Sequence, residues 1–480
     1  MSKSLAYSEA QIAARPSSGI RFYMVFLAMI GMLAFIIAKN VSLPRTVTIS
    51  IAAIGLFVFI YASFAKPYFA LLLLAVYAPF SRVVTGQFGT QVVGLNLTNI
   101  MIILILIGWA FYSSTNGLKF FAKASLNPAI LAFCLWGFFS LLRAKLIYGE
   151  AYDMDSFFVL FKRWATPIFL YFVGLSIVRD RKSFKKVLFV VMVVTFMIAL
   201  MAIRDYMNAS TSSIESSRVG GVFDQPNTLG AYFVYNMFFF LSFFLCYWKS
   251  LKYWLLLIPF MACFRGIMVT FSRGAYLAFG FGSLVVTFFK NKFLFLAAII
   301  LLAVVLLNPE FLPEGIQYRL AQTFSGGRVI STNVEDITDS SVGKRMLIWQ
   351  GALQMIKDEP LFGFGYGTFP YVISSYAPQV KEMDAHNTYL ILAAEMGIPA
   401  LIIFLVILLL LIKNSWWLLK HTEDKYFKAF AIGMLGGIFG LLVANMFGSR
   451  LNSEEVSAYF WLLGGLLMRA VIMRKNNEIA

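Results

Sequence analysis

Charge is scarce in this chain. Only 13% of its 480 residues are Asp, Glu, Lys or Arg, whereas 60% are hydrophobic and mean hydropathy is +0.79. That balance excludes the soluble globular classes and fits a polytopic helical membrane protein. Acidic residues are scarcest, 23 against 40 Lys and Arg, for a formal charge of +17. Such an excess can mark a nucleic-acid partner, but these basic residues sit in short loops between apolar runs, where cytoplasmic positive bias accounts for them. No nucleic-acid partner is expected. The three cysteines, Cys134, Cys246 and Cys263, all fall inside apolar runs, which excludes a disulfide framework and a thiolate metal site. Histidine occurs twice, as His386 and His421. Residues 1–21 carry Lys3, Arg15 and Arg21 but no small-residue cleavage site, and read as a cytoplasmic tail rather than a cleaved signal. No repeat of about 20–50 residues is present.

Long apolar runs fill the chain. Windows of roughly 17–25 apolar residues fall at 22–39, 47–64, 67–80, 98–113, 127–147, 157–178, 186–203, 229–247, 252–270, 274–289, 292–308, 387–412, 427–448 and 456–473. The densest basic cluster is Arg179, Arg181, Lys182, Lys185 and Lys186; Lys413 to Lys428 follows, then Arg474 and Lys475. One alternating topology makes all of them cytoplasmic, with both termini inside. It places 81–97, 148–156, 204–228, the turn near 271–274, 309–386 and 449–455 on the outer side. The expected domains are a tail at 1–21, transmembrane helices over 22–308, a large outer loop at 309–386, transmembrane helices over 387–473 and a tail at 474–480.

The outer loops hold the polar chemistry. In 341–400, Met346, Trp349, Leu353 and Ile356 recur at helical spacing and predict a short amphipathic helix ended by Pro360. The sequence GFGYG then predicts a glycine turn, and His386 opens the next apolar run at a membrane–water boundary. Segment 331–343 is polar, so protease cutting is expected near 325–343 and a folded cap over 344–378. Arg218 stands ahead of a glycine pair, and Arg273 interrupts the apolar stretch from Trp254 to Phe289. An arginine there is expensive unless it serves a site or snorkels to headgroups. Arg218, Arg273, Arg345 and His386 thus share one depth. The bland alternatives are a snorkelling Arg273, a solvated Arg218 and a packed His386. Asp153, Met154 and Asp155, with Glu150, form the alternative of a divalent-cation site. The glycine turn lacks the strand and spacing of a nucleotide loop.

These residues also resemble a known family. RMLIWQGALQMIKDEPLFGFGYGTF followed by AHNTYLILAAEMGIPA is similar to the signature region of the bacterial O-antigen ligase and O-antigen and exopolysaccharide polymerase superfamily. The motif is matched by His386 and Asn387, nine residues, Gly397, and Ala400 in place of the last glycine. RVGGVFDQPNTLG and FSRG are similar to the contexts of the family's two functional arginines, here Arg218 and Arg273. The resemblance implies an all-α polytopic transmembrane bundle of about 12–14 spans, GT-C-like, with a large periplasmic loop between late spans of a bacterial inner-membrane protein. It implies inverting glycosyl transfer, without metal or other cofactor, from an undecaprenyl-diphosphate-linked glycan to a glycan, lipid or protein acceptor, among membrane lipids. The catalytic candidates are His386, Arg218 and Arg273. Arg345, Asn387, Gln225, Asn227 and Tyr366 are the substrate-binding candidates. The other class of function is a transporter or flippase whose arginines select an anion without covalent chemistry.

Overall fold

A computed structural model describes residues 45–83, 97–209, 217–308, 341–380 and 383–479, with residues 310, 315 and 317. The window at 22–39 and the polar stretch 318–340 lie outside the described residues. The chain divides into two compact units, Met1–Leu56 and Phe57–Ala480. Of the first, the described residues are the opening turns of one helix, and the rest of the described chain belongs to the second.

Helix follows helix throughout, with no strand among the described residues. In chain order they are α1 (Arg45–Ala65), α2 (Pro67–Tyr77), α3 (Leu97–Thr115), α4 (Asn127–Tyr148), α5 (Met154–Ala165), α6 (Phe169–Ile177), α7 (Arg181–Asn208), α8 (Pro226–Asn236) and α9 (Phe238–Tyr247). Then come α10 (Leu257–Val269), α11 (Arg273–Lys290), α12 (Lys292–Leu307), α13 (Ser341–Asp358), α14 (Phe369–Tyr376), α15 (Thr388–His421), α16 (Lys425–Met446) and α17 (Glu454–Lys475). Among the described residues, nine segments are long and apolar enough to cross a membrane, and Ile54–Ala65, Pro67–Val83 and Lys292–Leu307 are shorter apolar helices. Every expected window within the described residues coincides with one of these helices or with α11. The protein is a polytopic helical membrane protein.

Burial separates the centre of the bundle from its rim. The span Glu454–Lys475 is 89% buried, while Leu97–Thr115 and Asn127–Ala151 are 33% buried and turn apolar side chains such as Phe111 and Leu135 outward. An apolar outer face suits lipid, so the centre is chosen by close packing rather than by apolarity alone. Gly437 of α16 is one such place: a Cβ there would stand 2.4 Å from the Tyr235 carbonyl oxygen of α8.

Helices α15 and α16 give the bundle two distinct ends. Thr388, at the head of α15, donates to Asn445 Oδ1 near the foot of α16 at 2.8 Å, so residues 384–388 and 445–450 share one end. His421 and Asp424, at the opposite tips of the same helices, share the other with the basic cluster, where Arg181 Nη2 lies 2.6 Å from Asp424 Oδ2.

The segment before α15 is folded onto the bundle. Helix α13 buries Ile348, Ala352 and Met355 against Phe369, Ile373, Ala385 and Ile391. This stripe differs from the expected one. Trp349 and Ile356 pack at its edge, but Met346 and Leu353 remain 58% and 52% exposed. Ile348, Ala352 and Met355 recur at helical spacing just as the expected set does, so spacing alone did not select the packed face.

Candidate active site

The glycine turn and a break in α15 form one joint. Gly363, Gly365 and Gly367 all take positive φ, the region that glycine enters without a Cβ penalty. Gly397 breaks the helix with φ 80° and ψ 169°, and a Cβ there would stand 2.2 Å from the Leu361 carbonyl oxygen. The break frees carbonyls of the preceding turn, and the glycine turn takes them. Phe364 N donates to Ala394 O at 2.9 Å and Gly365 N to Glu395 O at 2.8 Å. Trp136 Nε1 donates to Met396 O at 2.7 Å, and Ile398 N returns to Pro360 O at 2.8 Å. The Glu395 carboxylate accepts from Phe369 N at the start of α14 at 3.1 Å, where a helix N-terminus favours an anion. The spacing from His386 to Gly397 is therefore the short helix that separates a cap from this joint.

His386 stands at the head of that short helix. Asn387 Oδ1 caps it, accepting from Tyr389 N at 3.0 Å and Leu390 N at 3.2 Å. Ahead of the cap, Trp349 Nε1 donates to the Ala385 carbonyl at 2.9 Å, tying α13 to the loop that carries the histidine. His386 has φ 49°, a left-handed conformation rare outside glycine. Asp224 and Phe271 share it, at φ 57° and 49°, one three residues before Asn227 and the other two before Arg273. Each such residue costs roughly 1–3 kcal/mol and persists only where the surroundings over-determine it, commonly at functional sites.

The arginines meet around this histidine. Arg218 Nε donates to the Thr270 carbonyl at 3.2 Å and Nη2 to Asn227 Oδ1 at 3.2 Å, so the loop before α8 is stitched to the turn before α11. Arg273 is the first residue of α11. Burial lowers the basicity of Arg345, and the positive charges of Arg273 and Arg218 lower it further. Arg450, in the turn between α16 and α17, is buried, and its Nη2 donates to the Phe447 carbonyl at 2.9 Å. Burial pushes its guanidinium down to about 10; Arg345 and Arg218 add to the fall and Asp384 opposes it. No carboxylate forms an ion pair with Arg345 or Arg450 among the described residues. A cavity of about 10 Å³, the room of about one water, is lined by Asn227, Ser272, Gly274, Phe447 and Arg450. His386 is pushed below its ordinary value by burial; Asp384 opposes this, and Arg345 and Arg450 reinforce it. The imidazole is neutral at pH 7 and able to accept a proton.

Of the residues singled out from sequence, Arg218, Asn227, Arg273, Arg345, His386 and Asn387 thus come together. Gln225 is exposed at the head of α8 and caps nothing with its side chain. Tyr366 packs elsewhere, against Phe161 and Trp164, and its hydroxyl donates to the Leu160 carbonyl at 3.2 Å. Asp153 is a helix cap: its carboxylate accepts from Ser156 N at the start of α5, and hydrogen bonds from the Ser156 side chain and then its backbone hold it below the usual carboxylate range. Arg450, Asp384 and Trp349 are the additions. Arg450 stood in a seven-residue outer loop, 449–455, where one arginine reads as an ordinary loop charge.

Residues 258–405 match the protein-family model described as O-Antigen ligase. The matched region takes in Arg273, Arg345, His386 and Gly397 and leaves Arg218 and Arg450 outside. A Rickettsia conorii protein named "putative polysaccharide ligase" is 24% identical over 220 residues, which is 43% of this chain and 48% of that protein. The chain thus spans about half the length of this curated relative. Both matches carry the description of a ligase, in line with the resemblance already carried by the histidine–glycine motif.

Proposed function

We propose that this protein, with its O-antigen ligase region at 258–405, transfers a glycan from an undecaprenyl-diphosphate carrier to an acceptor hydroxyl at the periplasmic face of the bacterial inner membrane. The observation that carries the reading is the group of guanidinium charges from Arg218, Arg273, Arg345 and Arg450, drawn from four segments, in which burial and the neighbouring charges lower Arg345 and Arg450, beside the His386 imidazole. Like charges are not gathered in a protein interior unless an anion is to join them. A diphosphate is such an anion, and guanidinium engages two of its oxygens at once while staying charged.

The bond changes balance without ATP. The acceptor hydroxyl gives its proton to His386, and its oxygen bonds to the anomeric carbon from the face opposite the diphosphate. The carbon–oxygen bond to the diphosphate breaks with its electron pair, and the arginines stabilise the charge that grows on that oxygen. The anomeric centre inverts, and the imidazolium later yields its proton to water. Fixed guanidinium groups supply the positive charge here, so a chelator is expected to leave turnover unchanged.

Purified full-length protein in nanodiscs, given lipid-linked glycan extracted from its source organism, tests the reading. A product with a new glycosidic bond and released undecaprenyl diphosphate is expected. Donor binding without a new bond would favour anion transport, and chelator-sensitive turnover lost in Asp153→Ala would return the aspartates to the site.

A further inference from the structure

The segment that carries His386 also carries Asp384, and the two side chains face each other: Asp384 Oδ2 lies 3.5 Å from His386 Nδ1. The carboxylate is held from its other side. Ser449 Oγ donates to Asp384 Oδ2 at 2.8 Å and approaches Oδ1 at 3.1 Å. Ser449 is itself fixed by the turn that ends α16, because Thr388 Oγ1 donates toward both Asn445 Oδ1 and the Gly448 carbonyl, at 2.8 and 3.2 Å. Polar contacts thus join the start of α15 to the end of α16, Asp384 through Ser449 and Thr388 through Asn445 and Gly448.

We propose that Asp384, held by Ser449, is a positioning residue that fixes His386 in the tautomer with its proton on Nδ1, leaving Nε2 as the atom that accepts the proton of the acceptor hydroxyl. Three features carry this. Ser449 Oγ donates to Asp384 and so orients its carboxyl group from the side away from the ring. A carboxylate oxygen facing the ring is matched by a donor at Nδ1. His386 holds a left-handed backbone, φ 49°, and the Trp349 bond to the Ala385 carbonyl fixes the peptide between Asp384 and the ring. The His386 side chain keeps 38% exposure with Nδ1 turned toward Asp384, so the second nitrogen remains reachable. The other charges facing the ring, Arg345 from α13 and Arg450 from the turn after α16, oppose its protonation. Asp384 is the one acid that counters them, keeping the base strong enough to be useful.

The inference rests on His386 being the base, and its test does not. The protein contains two histidines, so 15N-histidine labelling of the full chain in nanodiscs yields two imidazoles, assigned with His421→Gln. Long-range proton–nitrogen correlation spectra report tautomer and titration. The expected result is a neutral His386 with its proton on Nδ1. In Asp384→Asn the Nε2–H form should gain, and the titration midpoint should fall by about one pH unit, the effect of losing one nearby carboxylate. Ser449→Ala, which keeps the carboxylate, should move both in the same direction by less. A wild-type His386 protonated on Nε2, or a midpoint unmoved in Asp384→Asn, overturns the proposal whether or not that variant turns over substrate. If His386→Ala retains wild-type turnover while the tautomer result stands, the base assignment fails and the pairing survives.

Discussion

The two ends of the bundle treat positive charge in opposite ways. At the basic end cations lie against carboxylates: Arg181 lies 2.6 Å from Asp424 and Lys428 lies 3.1 Å from Glu423. At the other end Arg345 and Arg450 repel each other and Arg218, and no carboxylate pairs with either among the described residues. Paired charges stabilise a fold; charges held apart from counter-ions spend stability on binding, as functional sites commonly do. Composition could not reveal this difference, because both ends contribute arginine and lysine to the same surplus. Position does.

The largest effect expected from that contrast is on chemistry. His386→Ala should lower turnover by about 10²–10⁴-fold, the usual contribution of a positioned proton acceptor, while donor binding survives because the arginines remain. Product formation and lipid-donor binding, measured separately, check the split.

Next come the arginines. Arg273→Lys keeps a charge but loses the planar fork, and should cost about 10²-fold in turnover, the scale of one lost transition-state donor. Arg450→Gln should lose a similar amount while holding or raising the thermal midpoint, since it removes a repelled, buried charge. Arg181→Gln should do the reverse, lowering the midpoint through a carboxylate left without its cation and sparing turnover. Paired melting and turnover measurements on these two variants would break the comparison if both moved alike.

The break in α15 predicts a smaller, structural effect. Gly397→Ala sets a Cβ against the Leu361 backbone at positive φ and should cost at least about 2 kcal/mol, read as a lower unfolding temperature. Ala400→Gly, which restores the glycine of the family pattern, should cost only about 0.5–1 kcal/mol for glycine inside a helix.

The pH profile gives the smallest change. His386 lies below its ordinary value, nominally ~6.5, so its base form persists to lower pH than in free imidazole. Turnover should therefore fall with a midpoint below ~6.5 as pH drops. A midpoint above that point would mean the carboxylate outweighs burial and the arginines.

The helices were legible because lipid imposes one pattern, a long apolar run, wherever the backbone crosses. Arg218, Arg273 and His386 were legible because they interrupt or flank those runs. Their meeting with Arg345 could be anticipated from shared depth alone. What the sequence hid was lateral: which outer turns lie side by side. Arg450 and Ser449 sit 63 or more residues from His386, and only the pairing of α15 with α16 brings them to it. Asp384 was in plain view two residues before the histidine, but its role depends on Ser449 and on a left-handed backbone that no local pattern announces. The packed face of α13 was misread for a related reason, since two apolar sets at helical spacing share the helix and its neighbours decide which is buried.

The central claim is that the site end keeps its guanidinium charges for a lipid diphosphate. It is tested most directly by titrating full-length protein in nanodiscs with undecaprenyl diphosphate and undecaprenyl monophosphate. Four proteins would be compared: wild type, Arg345→Gln, Arg450→Gln and, from the basic end, Lys428→Gln. The account predicts tighter binding of the diphosphate, roughly tenfold weaker binding in each site-end variant, the scale of one lost charged hydrogen bond, and no change in Lys428→Gln. Equal affinity for the two lipids, or equal losses at the two ends, would contradict it.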